Sequence, residues 1–233
     1  MANDHPDDVN SAAFTSLSFD CYGTLIDWIG GISGVFERLA AQAGGIAMTQ
    51  RDFFDTYLHA EAQAEAGVYM PYRQVLTIVQ ARLAERFGLS LGPDQTRWLA
   101  DSLADWRPFP DTNAALKRLK TKYRLCILSN IDRELFAATA RHLQVNFDAV
   151  ITAQDVESYK PARPHFDRLL KTVATVPGTH LHVAQSLYHD GVPAAELGIP
   201  FVWINRRAET NTTSARPLAV FDELTGLADW LGV

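Results

Sequence analysis

The sequence predicts an α/β protein: a mostly parallel sheet flanked by helices and interrupted, after its first strand, by an all-helical insertion. Three observations predict it. From residue 106 onward, short apolar runs of strand type alternate with helical spacing, which is the mark of βαβ units. Residues 31–105 carry helical spacing and no strand pattern. Polar residues able to do chemistry stand at the ends of the apolar runs, where open α/β sheets place their ligands.

Phe14 to Phe19 (FTSLSF) is the first strand, and Asp20, Gly23 and Thr24 follow it in a tight turn. Residues 31–43 read as a helix with Ile32, Val35, Phe36 and Leu39 on its apolar side. Thr49 is placed to cap a helix over 50–65, a longer helix covers 71–87, and another covers 93–105 with Pro93 in its first turn. Asp111 stands where it would cap a helix over 112–121. Tyr123 to Leu128 is a buried strand ending at Ser129-Asn130, followed by a helix over 132–143 and a short strand over Phe147 to Thr152. Lys160-Pro161 opens a loop before a helix over 163–174. Leu181 to Ala184 is a strand, Gly191 to Leu197 a short helix, and Phe201 to Ile204 a further strand. Four to six strands are therefore expected in one layer. Residues 14–30 and 106–233 form the sheet domain, and 31–105 form the helical insertion above its carboxyl edge.

The chain has 233 residues, 47% of them hydrophobic, which suits one core with a modest insertion. Its 21 Lys and Arg against 27 Asp and Glu give a net charge of -6, and that balance argues against nucleic acid as a partner. No run of about eighteen apolar residues occurs, so no membrane partner is expected. The N-terminus MANDHPDDVNSAA lacks the basic and apolar regions of a signal peptide, and residues 1 to about 13 are expected to be a mobile tail. Cys21 and Cys126 both lie in apolar runs and read as reduced thiols, so a cytoplasmic location is expected.

Four polar stations fall at strand ends: Asp20 with Thr24, Ser129 with Asn130, Lys160, and Asp190. Taken singly, each has a bland explanation as a turn, cap or surface residue. As an ordered set at one sheet edge they read as a site. Asp20 is the candidate nucleophile, since a carboxylate can attack carbon or phosphorus to give a covalent ester or acyl phosphate. The turn from Cys21 through Tyr22 to Thr24 would offer backbone N–H groups to an anion. Lys160 would pair with Asp20, Ser129 and Asn130 would hydrogen-bond substrate, and Asp190 would anchor Lys160 or position a water.

The phrases FDCYGTLID, ILSN, SYKP and HVAQSLYHDGVPAAELGIPFVWINR resemble the signatures of the haloacid dehalogenase-like hydrolase superfamily, from Phe19 to Arg206. Tyr22, the YGTL phrase and WINR are most similar to the 2-haloacid dehalogenase group. The resemblance implies a Rossmann-like (HAD-like) parallel sheet with an inserted all-helical cap. It implies Asp20 as nucleophile, Thr24 beside its carboxylate, Ser129 and Asn130 on substrate, Lys160 paired with the nucleophile, and Asp190 organising Lys160 and water. It also implies a small carboxylic-acid substrate and a homodimer.

The departures from the family pattern are informative. Phosphatases of the superfamily carry a second Asp where this chain has Tyr22, and an acidic residue where it has Gln185. Mg²⁺ prefers carboxylate oxygen, so no metal and no cofactor are expected, and carbon is the expected electrophile. Dehalogenases carry a cap Arg near the position of Tyr57, yet no Arg occurs between Arg51 and Arg73. Gln185 and Leu187 replace a Ser and an Asn, and Phe166 replaces a Tyr. On the cap, Tyr57, Glu61 and Glu65 share one helical face with His59 off it. Solvated Glu61 and Glu65 are the plainer expectation; facing the cleft, they would suit an amine-bearing substrate. His189 would shape the pocket or relay protons. Trp28, Trp106 and Trp203 are expected to pack.

The leading expectation is hydrolytic dehalogenation of a short 2-haloacid through an ester on Asp20. The alternatives are a related hydrolase acting on another C–X bond, such as ring opening of azetidine-2-carboxylate, a magnesium-dependent phosphatase, and a non-catalytic binding protein.

Overall fold

The computed structural model describes residues 14–42, 48–173 and 178–233; the expected N-terminal tail lies outside them. Six parallel strands form one sheet: β1 (Ser16–Phe19), β2 (Arg124–Ser129), β3 (Ala149–Thr152), β4 (His180–Ala184), β5 (Phe201–Ile204) and β6 (Ala219–Phe221). Their spatial order is β3-β2-β1-β4-β5-β6. The order reverses beside β1, so the ends of β1 and β4 lie at the crevice where such sheets bind ligands. β1 and β4 pair in register, Ser16 with His180 and Ser18 with His182.

The central strands are buried on both faces, which is why they read as near-continuous apolar runs. Leu17, Phe19, Leu125, Ile127, Leu181 and Val183 feed one core. Cys126, Leu128, Ala184, Phe201 and Trp203 feed a second, against Phe166 and Leu169.

Between β1 and β2 come α1 (Trp28–Gln42), α2 (Gln50–Glu65), α3 (Tyr72–Arg86) and α4 (Trp98–Ser102). Thr49 caps α2 as its sequence position predicts, accepting from the N–H of Asp52. The single helix expected over 93–105 is broken into a 3₁₀ turn (Pro93–Gln95), α4 and a second 3₁₀ turn (Leu103–Asp105). The cause is Gln80, fully buried on α3. Its amide donates to the Gln95 carbonyl and accepts from the Leu99 N–H. Those two groups would otherwise bond each other, so a side chain inserted into the ladder breaks the helix.

The sheet helices are α5 (Thr112–Lys120), α6 (Arg133–Ala140), α7 (Ala153–Val156), α8 (Pro164–Val173), α9 (Val192–Glu196) and α10 (Leu224–Trp230). Asp111 does not cap α5: it is itself helical and makes no side-chain cap bond. Its carboxylate takes both terminal nitrogens of Arg206 at 3.0 Å and the N–H of Leu224 at 2.7 Å. β6 and α10 complete the sheet edge beyond the last strand expected from sequence.

The helical insertion is tied to the sheet through Asp132. This residue starts α6 without capping it. Its carboxylate accepts instead from the N–H groups of Tyr72 and Arg73, at 2.8 and 2.9 Å, at the start of α3.

Candidate active site

The turn after β1 builds the floor of the site. Gly23 has φ +97°, a conformation open to glycine, and a Cβ there would crowd Trp28 and Gln185. The amides of Gly23, Leu25 and Ile26 bond within the turn. Those of Cys21 and Tyr22 have no such partner among the described residues. Arg206, stacked 3.9 Å over Phe109, donates two bonds to the Thr24 carbonyl and so pins the turn from behind.

Asp20 is buried and its two oxygens are engaged separately. Lys160 Nζ donates to Oδ1 at 3.0 Å and Thr24 Oγ1 donates to Oδ2 at 2.8 Å. Thr24 Oγ1 also accepts from the N–H of Gln185 at 2.9 Å, joining the ends of β1 and β4. Burial, with the nearby Asp190 charge, pushes the Asp20 carboxyl above its ordinary range, against the pull of Lys160 and Thr24. A carboxylate stripped of water in this way is a better nucleophile than one in bulk solvent.

Lys160 is 1% exposed and donates to Asp20, to Asp190 Oδ1 at 2.7 Å and to the Leu128 carbonyl at 2.8 Å. Burial works against its charge, but Asp190 and Asp20 outweigh it and the ammonium is held above its ordinary range. Asp190 sits in a turn of π-helix, Leu187–Gly191, capped by Ser186. Such turns often occur at functional sites. Burial opposes its charge too, yet Lys160 and His182 bring its pKa down to about 2. Asp190 Oδ1 takes both Lys160 and His182, while Oδ2 is buried and without a partner.

Above this floor is a cavity lined by Asp20, Tyr22, Ser129, Asn130, Lys160, Gln185, His189 and Asp190 from the sheet side. Tyr57, Glu61, Glu65 and Tyr72 line it from α2 and α3. The structure thus brings the expected residues to one place, with instructive differences. Cys21 and Thr24 are buried outside the lining, so Cys21 can serve substrate only through its backbone. Asn130 spends its amide on Lys160: Oδ1 accepts from the Lys160 N–H and Nδ2 donates to its carbonyl. Ser129 Oγ is buried and unpartnered in the cavity wall. The Tyr22 hydroxyl bonds Thr139 at 2.7 Å, so its ring faces the cavity and its phenol does not face Asp20. His189 lines the cavity, bonds Ser186, and is pushed down by burial, so it is neutral at pH 7.

The cap side differs most from expectation. Glu61 and Glu65 are not solvated surface groups; both face the cleft. Glu61 Oε1 accepts from the Tyr57 hydroxyl at 2.8 Å and from Tyr72 at 2.5 Å. Burial and the adjacent Glu61 charge push Glu65 up to about 9, with Lys160 pulling the other way. Trp28 and Trp106 also line the cavity rather than only packing, whereas Trp203 packs and donates to the Gln185 carbonyl. His59 is exposed and bonds Gln63. Phe166, at the position of the family's Tyr, is fully buried under His182. Sequence reading missed Tyr72 and Arg207 as lining residues; no local pattern marks either.

The floor suits a divalent cation poorly. Asp20 and Asp190 already share an ammonium, and Gln185 supplies a neutral amide that donates to Glu209. Among the described residues no group of three or more His, Cys, Asp or Glu is placed to hold a metal ion. Nor is any described helix long and apolar enough to cross a membrane.

Comparison with known proteins bears on the family and the fold. A family model described as a haloacid dehalogenase-like hydrolase matches residues 16–183. An (S)-2-haloacid dehalogenase of Pseudomonas putida is 26% identical over 221 residues, covering 92% of this chain and 96% of that one. A crystal structure of an L-2-haloacid dehalogenase superposes with TM-score 0.81 at 24% identity, over 94% of this chain and 98% of its own. The Xanthobacter autotrophicus L-2-haloacid dehalogenase with chloropropionic acid covalently bound superposes with TM-score 0.78 at 18% identity, over 94% and 98% of the two chains.

Proposed function

The chain belongs to the haloacid dehalogenase-like hydrolase family, and from that premise we propose that it displaces a leaving group from C2 of a short carboxylic acid, with a 2-haloacid as the first substrate class. The observation that carries this reading is the buried Asp20–Lys160–Asp190 triad at the cavity floor. Asp20 attacks C2 in line with the halide. The C2–O bond forms as the carbon–halogen bond breaks, the halide leaves with the electron pair, and C2 inverts. Water then attacks the carbonyl carbon of the Asp20 ester, and the amides of Cys21 and Tyr22 stabilise the oxyanion. Asp190 Oδ2 accepts the proton of that water. The acyl C–O bond breaks, the proton held by Asp190 passes to the departing alkoxide oxygen, the 2-hydroxy acid leaves, and Asp20 is regenerated as a carboxylate once its remaining acid proton is lost to solvent. Ser129 Oγ hydrogen-bonds the substrate carboxylate. Asn130 and Thr24 hold Lys160 and Asp20 in place, and Gln185, His189 and Tyr57 shape the pocket around C2. Residues 31–105 act as the cap that keeps bulk water from the first step.

No step of this sequence calls for a metal ion, and the donor set favours metal independence. The experiment is a panel of 2-chloro-, 2-bromo- and 2-fluoro-acids assayed for halide and 2-hydroxy acid with and without EDTA. Release of both products, indifferent to chelation, is expected. Phosphomonoester hydrolysis that disappears with EDTA would reject the reading.

A second reading is favoured by Glu61 and Glu65. The cap wall carries carboxylates where a plain haloacid would find no use for them. A substrate bearing a cationic nitrogen, including a strained cyclic amino acid whose ring nitrogen is the leaving group, would pair with them. Ammonium-bearing acids belong on the same panel.

A further inference from the structure

Behind the site, a chain of buried polar side chains runs through the sheet between β1 and β4. The strand register places Ser16 beside His180 and Ser18 beside His182, on the face away from Leu17 and Phe19. Ser16 Oγ meets His180 Nδ1 at 2.8 Å, and His180 Nε2 meets Ser18 Oγ at 2.8 Å. Ser18 Oγ meets His182 Nδ1 at 2.7 Å, and His182 Nε2 meets Asp190 Oδ1 at 2.9 Å. All four side chains behind Asp190 are buried, so the partners named are what satisfies them. Phe166 and Phe201 flank the His182 ring at 5.7 and 6.1 Å.

A single proton on His182, at Nε2, gives the chain its direction. The Asp190 carboxylate only accepts, so His182 Nε2 carries a hydrogen. With the hydrogen on Nε2 and Nδ1 bare, Nδ1 accepts and Ser18 must donate to it. Ser18 Oγ in turn accepts from His180 Nε2–H. Burial pushes His180 down to about 3, so this ring is neutral and its Nδ1 accepts from Ser16. Every hydrogen bond therefore points toward Asp190, and aligned bonds of this kind polarise one another.

We propose that Ser16, His180, Ser18 and His182 form an oriented hydrogen-bond relay that makes His182 a positioning residue for Asp190. The relay locks the His182 tautomer that donates to Oδ1. Asp190 is thereby held with Oδ1 shared between His182 and Lys160, which leaves Oδ2 as its one unpaired oxygen for the proton of ester hydrolysis. None of the four relay residues lines the cavity, so they act only through Asp190. The kinetic part rests on the aspartyl-ester reading above; the tautomer does not.

The test joins a spectroscopic and a kinetic readout. In ¹⁵N-labelled protein, the imidazole of His182 should show the Nε2–H tautomer, and Ser18→Ala should mix the two tautomers. In single turnovers with 2-chloropropionate, Ser18→Ala should slow ester hydrolysis about 10-fold while ester formation stays within about two-fold, so that ester accumulates on Asp20. Ser16→Ala, which loses only the outermost bond, should show the same pattern more weakly. This second variant keeps the test open if Ser18→Ala folds poorly. An Nδ1–H tautomer of His182 in the unmodified protein would overturn the proposal. So would relay variants that slow both steps equally, or that change neither. If no ester forms at all while His182 shows the expected tautomer, the aspartyl-ester reading fails and the relay stands.

Discussion

Asn130 grips Lys160 by its backbone at both ends, accepting from its N–H at 2.7 Å and donating to its carbonyl at 3.1 Å. The two residues are far apart in sequence, yet this clamp sets where the ammonium of Lys160 enters the floor of the site. Asn130→Ala should therefore lower kcat about 10- to 100-fold through misplacement of Lys160. It should cost about 1–3 kcal/mol of stability for the unpaired backbone groups. Steady-state kinetics and urea unfolding check both.

Among the described residues, Lys160 is the one cation paired with both buried carboxylates of the cavity floor. Lys160→Met leaves Asp20 and Asp190 uncompensated, and unfolding should become easier by about 3–5 kcal/mol. Turnover should fall by at least about 100-fold. Lys160→Arg should not restore it, because a forked guanidinium does not fit a slot shaped for a single ammonium. Variants that keep wild-type stability would show that the three charges are not coupled.

The buried histidines should cost the fold stability in acid, while the raised cap carboxyl Glu65 works in the opposite sense. Burial lowers His180 to about 3 and His165 to about 4. The unfolded chain thus binds protons at these sites between about pH 6.5 and pH 4 that the folded chain refuses. Stability is present above the ordinary histidine range and is lost as pH falls through that window, by up to about 1.4 kcal/mol per pH unit for each ring. Asp190, lowered to about 2, adds a further loss only below its ordinary range. The test is therefore a difference between two proteins: in urea midpoints at pH 7, 6 and 5, His165→Phe should gain on the unmodified protein as pH falls, and a difference that does not change with pH would contradict this.

Glu65 sets the preference between neutral and cationic substrates if the cap acids meet substrate. Its pKa of about 9 means that a bound ammonium would draw off its proton. Binding of 2-aminobutyrate over butyrate should fall about 10-fold in Glu65→Gln, read by fluorescence of Trp28 and Trp106 in the cavity wall. An unchanged ratio would leave the haloacid reading without its rival.

Much of the fold was legible because its signals are local. Thr49 before an amphipathic run marks a helix start, and YRLCIL ending at Ser129 marks a central strand. The site was legible because a parallel sheet gathers strand ends, which puts Asp20, Ser129, Asn130, Lys160 and Asp190 together whatever their spacing. What stayed hidden depends on partners distant in the chain. Asp111 looks like a cap until Arg206 is seen to hold it. The break before α4 comes from Gln80 on another helix. β6 spans three residues at the sheet edge and leaves Val220 exposed, so it has little apolar pattern to read. The S-x-S and H-x-H alternations of β1 and β4 were visible, but only the register of the two strands shows that they meet.

Under the proposed reaction Asp20 bonds covalently to substrate carbon and its ester is then hydrolysed. One turnover of excess enzyme in ¹⁸O-water, followed by mass spectrometry of the Asp20 peptide and of the product, separates this route from direct attack by water. Label in the Asp20 carboxylate and none in the first 2-hydroxy acid released is the expected result. Label in the product with an unlabelled Asp20 would mean that water attacks carbon directly and that Asp20 is not the nucleophile.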